Sequence, residues 1–197
     1  DLDDAASVQR AMNGAYGAFC VTNFWEHFSP EKELAQAGAL ADAAAKAGVQ
    51  HVIWSTLEDT RTFFAPDGKR MPVLMGKYNV PHFDAKGEAN RLFTSKVPTT
   101  LLYTSFYWDN LIHFGMGPKK GPDGKLTFVL PMGDKKLPGI AVEDIGRCAY
   151  GVFKRPDLVG KPVGIAGEHL TGAQMAAELS KALGQEVVHG AVTPEVY

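Results

Sequence analysis

Three short apolar runs, Ala15 to Thr22, Val49 to Ser55 and Thr99 to Thr104, set the narrowest limit on what this chain can fold into. Each has strand length and is apolar at successive positions (Phe19, Cys20 and Val21; Val52, Ile53 and Trp54). A strand covered on both faces reads this way, whereas a strand with one wet face alternates. Helical patterns separate the runs. Over Pro30 to Lys46, Ser29 suits the N-cap, Pro30 the first helical position, and Glu31 and Glu33 the positive end of the helix dipole. Leu34, Ala37, Ala41 and Ala44 recur at the spacing of one buried face, and Gly48 supplies the stop. A second helix is predicted from about Phe83 to Ser95. Strand, helix, strand, helix, strand with apolar strands needs crossover connections. The predicted class is therefore α/β, with a doubly wound parallel sheet of the Rossmann type.

The flanking segments are less regular. Asp3 is placed to cap a short helix through Met12, with Gly14 as its stop. Residues 56–81 carry Pro66, Asp67-Gly68, Pro72 and Pro81 and read as a long loop, a lid or an insertion. In the second half, Pro122-Asp123-Gly124-Lys125 is a predicted turn into a strand over Leu126 to Leu130, followed by a helix from Glu143 to Lys154. Pro162 to Ala166, a helix over Gly172 to Leu183 and a strand over Glu186 to His189 are expected to complete a small α+β lobe. Its expected place is over the C-terminal edge of the strands, where open α/β sheets bind ligands.

Composition narrows the function classes. At 45% hydrophobic and 21% charged residues, disorder is excluded, and a formal net charge of -2 gives no field that draws nucleic acid or anionic lipid. No apolar run approaches the ~20 residues of a membrane span. Asp1-Leu2-Asp3-Asp4 lacks both the basic start and the apolar stretch of a signal peptide. The chain lacks an initiator methionine, and Thr193-Pro194-Glu195-Val196-Tyr197 resembles a helix start without its continuation, so truncation at both ends is expected. Cys20 and Cys148 sit far apart in apolar surroundings and read as buried thiols of a reducing compartment, with a disulfide as the alternative.

A complete dinucleotide fold would show a glycine-rich turn between its first strand and helix. The one glycine cluster, Phe114 to Gly121, leads instead into a turn and a strand. Polar clusters are predicted at the C-terminal ends of the three core strands: Thr22-Asn23-Phe24, Ser55-Thr56-Leu57-Glu58 and Tyr107-Trp108-Asp109-Asn110. Taken singly each reads as a loop or cap; three at equivalent strand ends point to a ligand. His82 and Asp84 face different sides of a helix, and His27, His51, His113, His169 and His189 lack ligand spacing, so no metal site is assigned.

In order and in most spacings, five segments resemble consecutive landmarks of the NmrA-like family. They are Asp1 to Asp4, Val21 to Glu26, Trp54 to Glu58, His82-Phe83-Asp84-Ala85-Lys86-Gly87-Glu88 and Phe106 to Leu111, with Thr193 to Glu195 as a late one. The resemblance covers nearly the whole chain and implies an atypical short-chain dehydrogenase/reductase fold that binds NADP(H), N-terminally truncated because the glycine-rich segment would precede Asp1. It implies that Asp1 and Leu2 end a strand beside the adenine, and that Thr22, Asn23 and Phe24 line the middle of the cofactor. Lys86 would reach the nicotinamide ribose, while Tyr107, Trp108, Asp109 and Asn110 would close the nicotinamide end. The division implied is 1–114 for the partial cofactor-binding region and 115–197 for a substrate or partner lobe.

The chain also departs from the family. A basic residue of the helix after Thr22-Asn23-Phe24 falls near Ala35 here, and the loop from Pro66 to Pro81 is longer. Active short-chain dehydrogenases place a tyrosine four residues before the lysine; here that position is His82, Tyr78 lies four residues further back, and Ser55 stands near the place of the carbonyl-polarising serine. No catalytic residue is assigned. The expected function is that of an NADP(H)-binding redox-sensing regulator in the cytoplasm, with the nucleus as a second compartment. Its expected partners are NADP(H) and a regulatory protein, without direct nucleic-acid or membrane contact; oligomeric state is left open, a homodimer included. The alternative is an NADPH-dependent reductase of small carbonyls or quinones, similar to isoflavone-reductase-type enzymes. In it His82 or Lys86 is the general acid and Phe24, Trp54, Tyr107, Trp108 and Phe114 line the pocket.

Overall fold

The computed structural model describes residues 1–64, 68–121, 124–194 and 196–197. In chain order its first elements are α1 (Ala5–Met12), β1 (Gly17–Cys20), α2 (Pro30–Lys46), β2 (His51–Thr56), α3 (Pro81–Thr94), β3 (Thr99–Tyr103), β4 (Phe106–Tyr107) and α4 (Asn110–His113). There follow β5 (Lys119–Lys120), β6 (Leu126–Val129), β7 (Leu137–Ile140), α5 (Val142–Phe153), β8 (Pro162–Gly164), β9 (Glu168–Leu170), α6 (Gly172–Leu183) and β10 (Val187–Gly190). They fall into two units, Asp1–Thr104 with Cys148–Gly164, and Ser105–Arg147 with Ile165–Tyr197.

The first unit is built on a four-stranded, wholly parallel sheet in the order β1-β2-β3-β8. The expected α/β class is therefore observed, and β1, β2 and β3 wind in one direction, as half of a doubly wound sheet does. All of β2 is buried, as its unbroken apolar run requires. Its pleat sends Val52 and Trp54 toward α2 and α3, where they join Ala37, Leu40, Ala41, Ala44, Ala89 and Phe93 in one core. His51 belongs to the opposite face, where its ring meets Phe153 of α5 at 5.4 Å between centroids. Phe153 lies so close to Gly17 that a Cβ there would stand 2.7 Å from the ring.

Local chemistry fixes the helix ends. Ser29 Oγ accepts the Lys32 N–H at 3.1 Å and Pro30 opens α2, as predicted. At α1 the cap is Asp4, not Asp3: Asp4 Oδ1 accepts the Ala6 N–H at 2.9 Å. Asp3 instead ties the chain start to α2, accepting from Gln36 Nε2 at 2.9 Å and pairing with Lys32 Nζ at 2.7 Å. The segment before α3 contains a 3-10 turn at Thr60–Thr62 and a fully buried Tyr78. The predicted loop positions Pro66 and Asp67 lie outside the described residues, as do Pro122, Asp123 and Glu195.

The second unit holds two small sheets, β10-β6-β5 and β4-β7-β9, with Phe128, Leu130, Met175, Ala176 and Val187 as its core. Thr171 and Gln174 form a reciprocal capping box on α6, and Gly184 ends that helix with φ 65. One strand is not where the sequence suggested. Pro162–Gly164 leaves the small lobe and pairs with β3, Leu101 opposite Pro162. A proline opening an edge strand forfeits no needed ladder bond, so nothing local opposes that placement. Residues 105–114 belong to the second unit, ahead of the division expected at 114.

Candidate functional site at the end of the first strand

The chemistry of the first unit converges just past β1. Lys86, on the buried side of α3, sends its ammonium to Thr22, whose carbonyl oxygen accepts at 3.0 Å and whose Oγ1 accepts at 2.8 Å. Glu33 Oε1 of α2 lies 2.9 Å from the same nitrogen. The Thr22 hydroxyl donates to Glu33 Oε1 at 2.6 Å, which leaves its lone pairs for Lys86. The ammonium also stands 5.0 Å from the centroid of the Trp54 ring. Three backbone elements are thus joined through one charge pair. The Glu33 side chain is 0% exposed and that of Lys86 12%. Burial pushes the Lys86 pKa down, and the Glu33 carboxylate opposes the shift.

Around this pair the chain packs aromatic rings. His82, one turn before Lys86 on α3, lies 4.7 Å from Trp25 and 5.8 Å from Phe24 between ring centroids. Burial, and then the Lys86 charge, hold the His82 pKa below its ordinary value. Its imidazole packs in the cluster and does not cap α3, whose N-cap is Val80. Phe28 adopts φ 52, an uncommon left-handed backbone for an aromatic residue, and its ring meets Trp25 at 5.7 Å. His27 Nδ1 accepts the Ser29 N–H at 3.1 Å, so the ring proton of the neutral imidazole sits on Nε2, 3.5 Å from Glu33 Oε2. Neither of those two buried atoms has a hydrogen-bond partner.

A second network occupies the ends of β2 and β3. Thr56 Oγ1 lies 2.7 Å from Asn90 Oδ1, and Asn90 Nδ2 donates to the Tyr103 hydroxyl at 3.2 Å. Burial raises the Tyr103 pKa. Ser55 is buried at the end of β2. Tyr78 is an anchor of the preceding segment: its ring is fully buried, with the Arg61 guanidinium 5.3 Å and the Lys77 ammonium 4.8 Å from its centroid.

Of the expected cofactor residues, Thr22, Asn23, Phe24 and Lys86 meet at the end of β1. Thr22 and Phe24 are buried, while Asn23 is exposed. Asp1 and Leu2 lie in a turn before α1 and not in a strand, and Leu2 packs against the core. The third cluster belongs to the second unit, whereas β3 belongs to the first. Tyr107 belongs to β4, which pairs with β7 in the second unit, and the residue closing β3 is Tyr103. The Trp108 indole covers Gly139, where a Cβ would fall 2.1 Å from its ring, and packs against the core of that unit. Asp109 Oδ2 accepts the Val142 N–H at 2.8 Å at the start of α5, and Asn110 opens α4. Of the residues proposed for a reductase's aromatic pocket, Phe24 and Trp54 lie in the first unit and Tyr107, Trp108 and Phe114 in the second. Trp54 is fully buried and stacked on Phe93 at 4.5 Å, and Phe114 is 71% exposed.

A groove of about 650 Å³ runs along the outer side of α1, α2 and α3, lined by Leu34, Ala35, Gly38, Glu88 and Arg91 among others. None of the strand-end residues lines it, and Ala35 on its wall carries no charge. Among the described residues no group of three metal-ligating side chains occurs, and no helix is long and apolar enough to cross a membrane.

Against known proteins, the profile of the NmrA-like family matches residues 1–197. The chain belongs to the NmrA-like family. It is 29% identical over 192 residues to the nitrogen metabolite repression protein nmr of Neurospora crassa, covering 92% of this chain and 36% of that protein. It is 28% identical over 196 residues to an NAD(P)H azoreductase of Xenophilus azovorans, covering 99% of this chain and 61% of the enzyme. A crystal structure of the negative transcriptional regulator NmrA in complex with NAD superposes with TM-score 0.80 at 26% identity, over 98% of this chain and 58% of that one. NmrA has also been solved with NADP. The chain thus spans between about a third and two thirds of the length of the relatives it matches.

Glu33 was missed as a site residue. In sequence it reads as a dipole-complementing acid, yet it lies four residues before Ala37 and seven before Leu40, on the helix face that those residues bury. A charged side chain on a buried stripe was the available signal.

Proposed function

We propose that this NmrA-like chain is part of an NADP(H)-binding regulator that reports redox state to a protein partner and has no classical dehydrogenase activity. The observation that carries the reading is the buried Lys86–Thr22–Glu33 cluster at the C-terminal end of β1. Ligands of open α/β sheets bind outside that end of the strands. The residues fit a nucleotide ribose: a ribose hydroxyl that displaces one of the Thr22 acceptors would meet the Lys86 ammonium, and the exposed Asn23 adds an amide. When bound, a nicotinamide cofactor supplies hydride chemistry; these residues hold and orient it. The regulatory reading is supported by likeness to NmrA, a negative transcriptional regulator whose structures contain NAD and NADP. The position four residues before Lys86, where short-chain dehydrogenases carry tyrosine, holds an imidazole packed among aromatic rings. Cofactor occupancy would favour one arrangement of the loops beyond the strands and so change affinity for a partner.

The test is titration of the protein with NADPH and NADH by fluorescence, followed by incubation with NADPH and a panel of carbonyls and quinones. Binding without turnover, weakened in Lys86→Ala, is the expected result. Robust turnover lost in Lys86→Ala would establish the reductase alternative, which the likeness to the azoreductase supports.

A further inference from the structure

We propose that Glu33 is the positioning residue of this site: its carboxylate holds the Lys86 ammonium at the end of β1, where a ligand hydroxyl can take over one of the two N–H bonds now made to Thr22. An ammonium has three N–H donors. Here the acceptors are Thr22 O at 3.0 Å, Thr22 Oγ1 at 2.8 Å and Glu33 Oε1 at 2.9 Å. Thr22 contributes neutral acceptors, so among the described residues Glu33 is the one carboxylate in contact with the charge. It can be replaced neither by rotation of another side chain nor by water, since its side chain is wholly buried.

The groups packed around the pair do not compete for it. His27 faces Glu33 Oε2 from the segment before α2, but its Nδ1 accepts the Ser29 N–H, and Ser29 is the N-cap of α2. From α3 itself His82 adds a group whose charging Lys86 opposes. Asp84 turns its carboxylate to Thr60, Asn79 and Val80. From β2 the neighbour is the uncharged Trp54 ring. Without Glu33 the buried amine would therefore lose its counter-charge while keeping its desolvation, and would hold its proton less tightly. Glu33 thus acts through Lys86: it sets both where the donor stands and whether it is charged. The role of Lys86 toward a ribose rests on the function proposed above, whereas the coupling of Glu33 to Lys86 does not.

The test separates those two layers. In protein labelled with 13C at lysine Cε, the Lys86 resonance is assigned by its loss in Lys86→Met and followed against pH. Glu33→Gln should lower its titration midpoint by about one to three pH units, the effect of an opposite charge at this distance. NADPH titrated into the same samples at pH values on both sides of the Glu33→Gln midpoint should bind the variant about tenfold or more weakly above that midpoint, with affinity recovering as pH falls through it. A merely structural role would weaken binding equally at every pH, and that flat profile would overturn the proposal. So would an unshifted Lys86 midpoint. If Glu33→Gln does not fold, Glu33→Asp decides: one methylene shorter, its carboxylate draws back from the ammonium, and the Lys86 midpoint should fall by a smaller step in the same direction. An unshifted midpoint there overturns the coupling. A shifted Lys86 midpoint in protein that binds no NADPH upholds the pair and refutes the cofactor reading instead.

Discussion

Asp84→Asn should cost this fold about 2–4 kcal/mol, although it changes one atom. Asp84 is fully buried, and donors fill both of its carboxylate oxygens. Oδ1 accepts the Thr60 N–H at 2.8 Å and the Thr60 hydroxyl at 2.6 Å; Oδ2 accepts the Asn79 N–H at 2.7 Å and the Val80 N–H at 3.1 Å. Val80 is the N-cap of α3 and offers no side-chain cap, so this acid does the capping from inside the helix. It also fastens the 3-10 turn at Thr60–Thr62 to the helix start.

An asparagine has one acceptor oxygen. If its NH2 faces Asn79 and Val80, two backbone donors lose their acceptor. If it faces Thr60, the hydroxyl can turn and accept, leaving one orphaned N–H, so that orientation is preferred. One unsatisfied buried donor costs about 1–3 kcal/mol, and turning the two remaining backbone bonds from charge-assisted to neutral adds about 1 kcal/mol or more. Urea unfolding of the parent, Asp84→Asn and Asp84→Ala, read by tryptophan fluorescence, measures the loss. Asp84→Ala, which removes every acceptor, should lose more. A loss below about 1 kcal/mol in Asp84→Asn, with an unchanged slope against urea, would refute the assignment of Asp84 as the fastening of this segment.

Gly87→Ala should lower the unfolding temperature, because a Cβ there would stand 2.8 Å from both the Asp59 amide nitrogen and Cβ; the expected cost is about 1–3 kcal/mol by thermal unfolding. Gly139→Ala should unseat the Trp108 indole, whose ring atoms begin 2.1 Å from that Cβ, and appear as a red-shifted tryptophan emission that the parent lacks. Stability should fall on the acid side through two histidines. Burial lowers the pKa of both His51 and His82 from 6.5, so the unfolded chain binds protons that the folded one refuses. Their contribution is complete above 6.5 and is lost as pH drops toward the folded values, at up to about 1.4 kcal/mol per pH unit for each proton. For His51 the tautomer is set, since Thr100 Oγ1 donates to the Leu158 carbonyl at 2.9 Å and so must accept from His51 Nε2 at 2.8 Å. His51→Gln should flatten the slope measured by urea unfolding between pH 7 and about pH 5.

What could be read in the sequence divides along the range of the interactions involved. The bounds of α2 and α6 follow from caps within a turn of the helix end, Ser29 with Pro30 and Thr171 with Gln174, and both helices lie where the pattern put them. The three parallel strands were legible because burial on both faces leaves its mark in every residue of β2. Sheet membership leaves no such mark. Pro162–Gly164 and Phe106–Tyr107 are too short to carry a period, and their partners, β3 and β7, are chosen by tertiary contact. The same division runs through the site. Lys86 was found through its neighbours in sequence, from His82 to Glu88, which resemble a family motif. Glu33 was not, because an acid in the first turn of a helix already has a local explanation in the dipole. That explanation holds for Glu31, which is exposed, and fails for Glu33, which lies on the stripe with Ala37, Leu40, Ala41 and Ala44. A carboxylate on that stripe must meet a cation or be destabilising, and the fold supplies the cation from α3. Read as a demand for a partner, the charge on the buried face of α2 already implied a lysine or arginine on whatever element packs against it.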